Sequence, residues 1–212
     1  MVNKLKYVSF YTIDTIYEEV FHSHLLPSLQ LYNLSYWVKG IKNKGSWAKN
    51  TVQKPAIILK ALKAYPNHDI VWIDVDAKIK EYPLLFDELS FLHIDEDIAV
   101  HYLDWFVHYG RERDRGKTEL IDGTIFVRNN KKMVDFVTEW KSRSTDIGVN
   151  HQRVLEKMIK EKKDIRCYNL PREYCYIMST PHGKDPKIQL DKPVICHYQA
   201  SRKAKRNLKK EE

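Results

Sequence analysis

Cysteine is scarce in this chain: Cys167, Cys175 and Cys196 are the only three in 212 residues. An odd number with no Cys-x-x-Cys spacing argues against a disulfide framework or a thiolate zinc site, so they read as reduced thiols. No apolar run comes near the roughly 20 residues that a membrane-spanning helix requires. The opening Met1-Val2-Asn3-Lys4-Leu5-Lys6-Tyr7 lacks the apolar stretch of a secretory signal. These absences predict a cytoplasmic protein. Internal repeats and a domain boundary are missing as well, and the length suits one large α/β domain. Residues 1–205 are therefore expected to form a single domain, with a basic tail over 202–212.

What the chain does have is aromatic and basic. Aromatic residues make up 12% and charged residues 30%, the latter spread among apolar segments, which argues against wholesale disorder. Lys and Arg number 36 against 28 acidic residues, so the net charge is 36 − 28 = +8. That excess favours an anionic partner, whether nucleotide, nucleic acid or anionic membrane. Part of it is local, because Ser201 to Lys210 is almost all base, and such runs are usually solvated termini.

Periodicity then orders the chain. Lys6–Thr12 reads as an opening strand, and Thr15-Ile16-Tyr17-Glu18 has the capping-box spacing of a helix that Pro27 ends or kinks. Ser35–Gly40 is a second strand, followed by a polar loop over 41–50 whose Trp47 either folds onto the core or stacks on a ligand. A helix is expected from Thr51, with Pro55 in its first turn and Ile58, Ala61, Leu62 and Tyr65 on one face. Ile70–Ile73 is a buried strand. Strand–helix–strand–helix–strand implies a mostly parallel, right-handed α/β sheet flanked by helices. Further strands are expected within 97–102, 120–129, 165–168 and 193–198, and helices over 83–89, 133–140 and 154–159. His108 to Lys117, rich in charges of both signs, reads as a mobile loop.

The chemistry centres on Val71-Trp72-Ile73-Asp74-Val75-Asp76. In an extended backbone, side chains at i and i+2 point the same way, so Asp74 and Asp76 would project together unless the chain turns between them. Two close carboxylates repel unless a cation joins them, and such pairs suit divalent ions that also bind phosphate. The bland alternative is a strand end opening a turn. Placement at the C-terminal end of a strand favours the ligand reading, since open α/β sheets bind there.

Four features in order carry a resemblance: Phe10-Tyr11-Thr12 ending a strand; a Lys54 helix leading to Val-Trp-Ile-Asp-Val-Asp; Ile121-Asp122-Gly123-Thr124-Ile125-Phe126-Val127-Arg128-Asn129; and Ile195-Cys196-His197-Tyr198 with Lys203 downstream. Over roughly residues 5–205 the chain resembles GT-A-fold (Rossmann-like) nucleotide-diphospho-sugar glycosyltransferases of the glycogenin- and galactosyltransferase-like group. The resemblance implies a UDP-sugar donor, a hydroxyl acceptor and Mn²⁺ or Mg²⁺. It implies Asp76, Asp74 and His197 as metal ligands, Asp74 alternatively taking a ribose hydroxyl; histidine beside carboxylates suits Mn²⁺ better than Ca²⁺. Lys54 and Lys203 would contact phosphates, Tyr11 and Thr12 the nucleobase, and Asp122, Gly123 and Gln152 the sugar or acceptor. Asp122 is a candidate general base toward the acceptor, with Asp104 as another. Two positions depart from the pattern: Asp122 stands where many relatives have Asn, and His151-Gln152 where many have Asp-Gln.

Two other readings compete. A nuclease or phosphotransferase would use the aspartate pair for two-metal chemistry, but it needs a further acidic ligand for which no clear motif exists. A nucleic-acid-binding domain would rest on the charge and the tail. The readings can also combine, in a glycosyltransferase whose acceptor is a saccharide or a modified base in DNA.

Overall fold

The computed structural model describes residues 4–92, 95–144, 150–179 and 186–200. Lys203 and the basic tail lie outside the described residues. Strand β1 (Lys4–Thr12) runs through helix α1 (Ile16–Val20), a π turn (Phe21–Leu25) and helix α2 (Leu26–Leu31) into β2 (Tyr36–Ile41). Helices α3 (Trp47–Thr51) and α4 (Lys54–Ala64) return the chain to β3 (His68–Ile73), which passes into the short β4 (Ala77–Ile79). Helix α5 (Leu84–Phe91), strand β5 (Ile98–Asp104), helix α6 (Trp105–Tyr109) and the long strand β6 (Thr118–Val127) follow. Helices α7 (Lys131–Arg143) and α8 (His151–Glu161) precede β7 (Cys167–Asn169), β8 (Tyr176–Ile177) and β9 (Ile195–His197).

Six strands form one mixed sheet in the order β2-β1-β3-β6-β5-β7. The pairs β1–β2, β1–β3 and β5–β7 are parallel, and β6 runs antiparallel to both its neighbours. A second, small sheet has the order β4-β9-β8. The expected mostly parallel α/β sheet is thus present, with β6 as the reversed strand.

Burial explains why β3 reads as an unbroken apolar run: helices cover both faces. Ile70 and Trp72 face a core shared with Ile58 and Leu62 of α4 and with Phe136 and Trp140 of α7. Val71 and Ile73 face the opposite core, with Phe21, Leu25, Phe86 and Leu89. Asp69, wholly buried, joins the two ends of this layer: it accepts hydrogen bonds from the Ser90 hydroxyl and the Asn129 backbone N–H. The Asn129 side chain donates to the carbonyls of Leu62 and Tyr65, satisfying the end of α4.

Local chemistry shifts three expected boundaries. Pro27 has no N–H to offer the preceding turn, and the helix widens into the π turn just before it rather than ending. The helix expected from Thr51 begins at Lys54, and a separate turn, α3, precedes it. Ser46 caps α3 by accepting from Lys49 N–H, so Trp47 opens a helix instead of sitting in a loop. Residues 105–117 are also more ordered in pattern than their charge suggested. Asp104 caps α6, and the 3-10 turn Glu112–Asp114 is stapled by Arg111 and Lys117 on the buried Asp114 and by Arg115 on Glu112.

Candidate active site

The chain does turn between the two aspartates. Strand β3 ends at Ile73, and Ala77 N–H donates back to the Asp74 carbonyl, closing a turn that leads into β4. Asp74 N–H donates to the carbonyl of Gly123, so the turn is pinned to β6. On β6 itself the pairing with β5 jumps from Val100↔Ile125 to His101↔Ile121. Residues 122–124 therefore bulge from that ladder, and β6 presents Asp122 and Gly123 beside the Asp74–Asp76 turn. Bulges of this kind commonly re-aim side chains next to active sites.

A cavity of about 400 Å³ opens over this junction. Tyr11, Thr12, Lys54, Asp74 and Asp76 line it, as do Asp122, Gly123, Gln152 and His197. Nine of the eleven residues proposed from sequence thus share one cavity. Asp104 is not among its lining residues, and its carboxylate caps α6 by accepting from Val107 N–H. Lys203 falls outside the described residues. Trp47, 49% exposed, lines the same cavity.

Lys54 is 4% exposed and stands on the first turn of α4. Its Nζ lies 2.9 Å from Asp74 Oδ1, 3.0 Å from Asp122 Oδ1 and 2.7 Å from the Asp122 carbonyl. Three acceptors fill the three N–H bonds of an ammonium. The lysine expected on a phosphate is here the counter-ion of two carboxylates. Burial alone would lower its pKa, but Asp122 and then Asp74 more than reverse that and hold it above the ordinary value. Burial likewise works against Asp122 ionising, yet Lys54 and then His151 hold its carboxyl well below the usual range. Asp74 also accepts from the Trp72 indole N–H at 2.8 Å.

The other oxygen of Asp122 faces His151, with Oδ2 and Nε2 2.9 Å apart. Asn150 caps α8 by accepting from Gln152 N–H, which sets His151 at the helix start, and the His151 carbonyl accepts from the Trp140 indole. Gln152 donates to Glu119 Oε1, and Trp105 donates to Glu119 Oε2. Glu119 and His151 are cavity residues that the sequence reading did not assign a role. The signal for His151 was its departure from the family pattern, a histidine where many relatives have Asp before the Gln.

His197 closes the far side. Strand β9 lies between β4 and β8, pairing His197 with Ala77 and Ile177. Its ring is 2% exposed, and Nε2 shares a hydrogen bond of 2.9 Å with the Thr124 hydroxyl. Burial pushes the imidazole down to about 4, so it is neutral at pH 7. A Cβ at Gly123 would sit 2.9 Å from His197 Cε1 and 3.1 Å from Nδ1. The glycine therefore makes room for the histidine ring, in addition to any approach it allows a ligand. Asp76 accepts from Ala200 N–H through Oδ2, and its carbonyl accepts from Tyr198 N–H. Burial, then the charge of Asp74, pushes the Asp76 carboxyl up to about 6.

Among the described residues, no three His, Cys, Asp or Glu side chains gather as a ready-made metal cage. Asp74, Asp76 and His197 share the cavity without forming one, because Asp74 is turned to Lys54 and Trp72, and His197 Nε2 to Thr124. The nucleobase candidates are likewise engaged: one face of Tyr11 stacks on Phe21 at 5.0 Å, and the Thr12 hydroxyl bonds Thr15 at 2.8 Å.

A family model for nucleotide-diphospho-sugar transferases matches residues 47–209. The chain belongs to the nucleotide-diphospho-sugar transferase family. A search of curated proteins finds no match. Among solved structures, the transferase is similar to a glycosyltransferase involved in the glycosylation of the major capsid of PBCV-1, with 14% identity and a TM-score of 0.67. That match covers 99% of this chain and 100% of the other. The bifunctional glycosyltransferase WbbM matches at 15% identity and a TM-score of 0.58, over 94% of this chain and 46% of its own. Mouse xyloside xylosyltransferase 1 matches at 11% identity and a TM-score of 0.52, over 93% and 98%. At these identities the likeness is one of fold, and it gives this transferase the GT-A architecture that the resemblance implied. Family membership makes it a glycosyltransferase with a nucleotide-diphospho-sugar donor.

Proposed function

We propose that this glycosyltransferase takes its sugar from a UDP-sugar and uses a divalent cation at the Asp74–Asp76 turn to hold the diphosphate. The carrying observation is Asp76, a half-buried cavity carboxyl pushed up to about 6 by desolvation and by the carboxylate of Asp74 beside it, the electrostatic signature of a place that wants a cation. Neutral His197 has the protonation state that a metal ligand needs. Mg²⁺ is usually bound by one or two carboxylates plus substrate phosphates, so the pair Asp74 and Asp76 would suffice beside a bound diphosphate. Asp76, with Asp74 and His197 as neighbours, would hold the ion, whose chemistry there is to neutralise charge on the leaving diphosphate.

The protein's own groups divide the remaining work along the cavity. Tyr11, Thr12 and Trp47 are the residues for the nucleoside; Trp47, half exposed at a cavity wall, has surface to offer a flat ring. Lys54 adds fixed positive charge through two carboxylates rather than by direct contact. Asp122, Gly123 and Gln152 serve the sugar and the acceptor hydroxyl. A thermal-shift screen of UDP, UDP-glucose, UDP-galactose and UDP-xylose, with and without Mn²⁺, tests this reading. A ligand at 100 times its Kd stabilises by about 2.7 kcal/mol. A shift that needs both UDP-sugar and metal, and disappears in Asp76→Ala, is expected. Equal shifts without metal would refute the cation, and none at all would refute the UDP donor.

A further inference from the structure

The cavity continues along β6 onto a wall that the donor does not need. Tyr11 and Thr12 end β1, Asp74 follows β3, and Asp122 and Gly123 belong to β6, and these three strands are neighbours in the order β1-β3-β6-β5. Nucleoside, diphosphate and sugar would occupy them in turn, which leaves the side over β6 and β5 for an acceptor. Strand β6 runs on past β3, whose last residue Ile73 pairs with Thr124. Glu119 lies on that overhang, opposite Leu103 of β5 and roughly 10 Å along the strand from Asp122. Its Oε1 accepts from Gln152 Nε2 at 3.1 Å and its Oε2 from the Trp105 indole at 3.2 Å. Both donors are neutral. The bases nearest in the chain are taken, Arg111 and Lys117 by Asp114 and Arg115 by Glu112. A carboxylate has roughly four acceptor sites, so about two remain for hydroxyl donors. Tyr109, half-buried at the end of α6, lines the same cavity beside Trp105. An aromatic ring next to a carboxylate and an amide offers a surface for the C–H face of a sugar and partners for its hydroxyls.

Charge decides what kind of acceptor this wall admits. Among the described residues lining the cavity, Lys54 is one cation against the carboxylates of Asp74, Asp76, Glu119 and Asp122, a formal balance of 1 − 4 = −3. Lys54 is itself occupied by Asp74 and Asp122. A divalent cation would offset part of this, but a donor diphosphate brings negative charge of its own. The chain carries +8 overall, yet at Glu119 an anion would meet a carboxylate with no cation beside it, where like charges repel most in a partly enclosed space. From this geometry, and resting on the UDP-sugar reading above, we propose that Tyr109, Glu119 and Gln152 form the acceptor subsite and that the acceptor is an uncharged sugar. Its hydroxyls donate to Glu119 and its ring lies against Tyr109. Uronic acids, phosphorylated sugars and a DNA chain are turned away by Glu119.

The full chain is assayed with Mn²⁺ and whichever of UDP-glucose, UDP-galactose and UDP-xylose it cleaves. The acceptors are methyl glucoside, methyl galactoside, the matching methyl uronides, and an oligonucleotide carrying hydroxymethylcytosine. The parent is expected to use a neutral glycoside with kcat/KM at least about tenfold above its uronide, the effect of one hydrogen bond to a charged group. Glu119→Gln keeps the shape and loses the charge. It is expected to raise the acceptor KM about tenfold with the donor KM within about threefold, and to narrow the gap between glycoside and uronide. Glu119→Lys is expected to reverse that gap. Calorimetric UDP binding equal to the parent's shows that a variant is folded. The subsite is overturned by equal use of uronide or oligonucleotide, by no transfer to any neutral glycoside, or by a Glu119→Gln effect on donor KM alone. The donor reading fails separately, in a parent that neither binds UDP nor cleaves any of these donors. Saturation-transfer NMR of the methyl glycosides then still reads the wall: binding weakened in Glu119→Gln supports it, and no binding to the parent overturns it.

Discussion

Removing the charge of Lys54 should cost stability before it costs anything else. In Lys54→Met the side chain still fills its place in α4, but Asp74 and Asp122 lose a partner at 2.9 and 3.0 Å, and the Asp122 carbonyl loses one at 2.7 Å. Asp122 is 7% exposed at its side chain and Lys54 5%, so solvent cannot replace the ammonium. Breaking a buried pair from one side typically costs about 3–5 kcal/mol, because the remaining charge is stranded. For a chain of this size each kcal/mol moves Tm by roughly 2–4 °C, so a drop on the order of 6–20 °C is expected. Circular-dichroism melts at pH 7.5 measure it. The sign of the pH dependence follows from Asp122. Its folded carboxyl lies below the unfolded value of about 3.9, so the pair's contribution is present above that pH and is lost as pH falls below it. The gap between parent and variant should therefore narrow toward pH 4 and below. Adding Asp122→Asn to Lys54→Met should return part of the loss at pH 7.5, since the stranded charge is gone. A loss under roughly 1 kcal/mol, or a gap that widens in acid, would refute the buried counter-ion.

Gly123→Ala should lower Tm and weaken donor binding together. Its Cβ would press on a ring that is buried and bonded to Thr124, and overpacking of this kind costs about 1–3 kcal/mol. Melts paired with donor KM measure both, and a variant matching the parent in each would leave the glycine without that role. Asp76→Asn should behave in the opposite way. A carboxyl raised to about 6 in the fold disfavours folding once pH passes from the unfolded value of about 3.9 up through 6. The amide should then raise Tm of the metal-free protein at pH 7.5 and not at pH 4, while abolishing any stabilisation by UDP and Mn²⁺. A lower Tm at pH 7.5 would count against Asp76 as a strained carboxylate.

Much of the frame was legible in the sequence. Strands β1, β3 and β6 and helices α4, α7 and α8 carry long apolar patterns, and their existence needs little beyond periodicity. The small sheet was not legible as a sheet, because strands of two or three residues such as β4 and β8 have no period to read. Helix α6, only five residues long, has too few turns for a period to show, and Asp104, its cap, was read as a catalytic candidate; an aspartate before a helix and an aspartate beside a substrate are the same letter.

The site shows the same divide between residue type and pairing. Lys54, Asp74, Asp122 and His197 could be named because this chemistry calls for those types, and one cavity holds all four. Their connections could not, since each depends on a partner brought by another element. Gly123 answers to a ring on β9, and Asp122 gains its histidine from the first turn of α8. Lys54 is the sharpest case. A phosphate-binding lysine keeps N–H bonds for its ligand, whereas this one spends all three on Asp74 and Asp122. With those bonds kept, it would act on a diphosphate through its field and through the carboxylates it orients. That is why stability, more than donor affinity, is the measurement that separates the two roles.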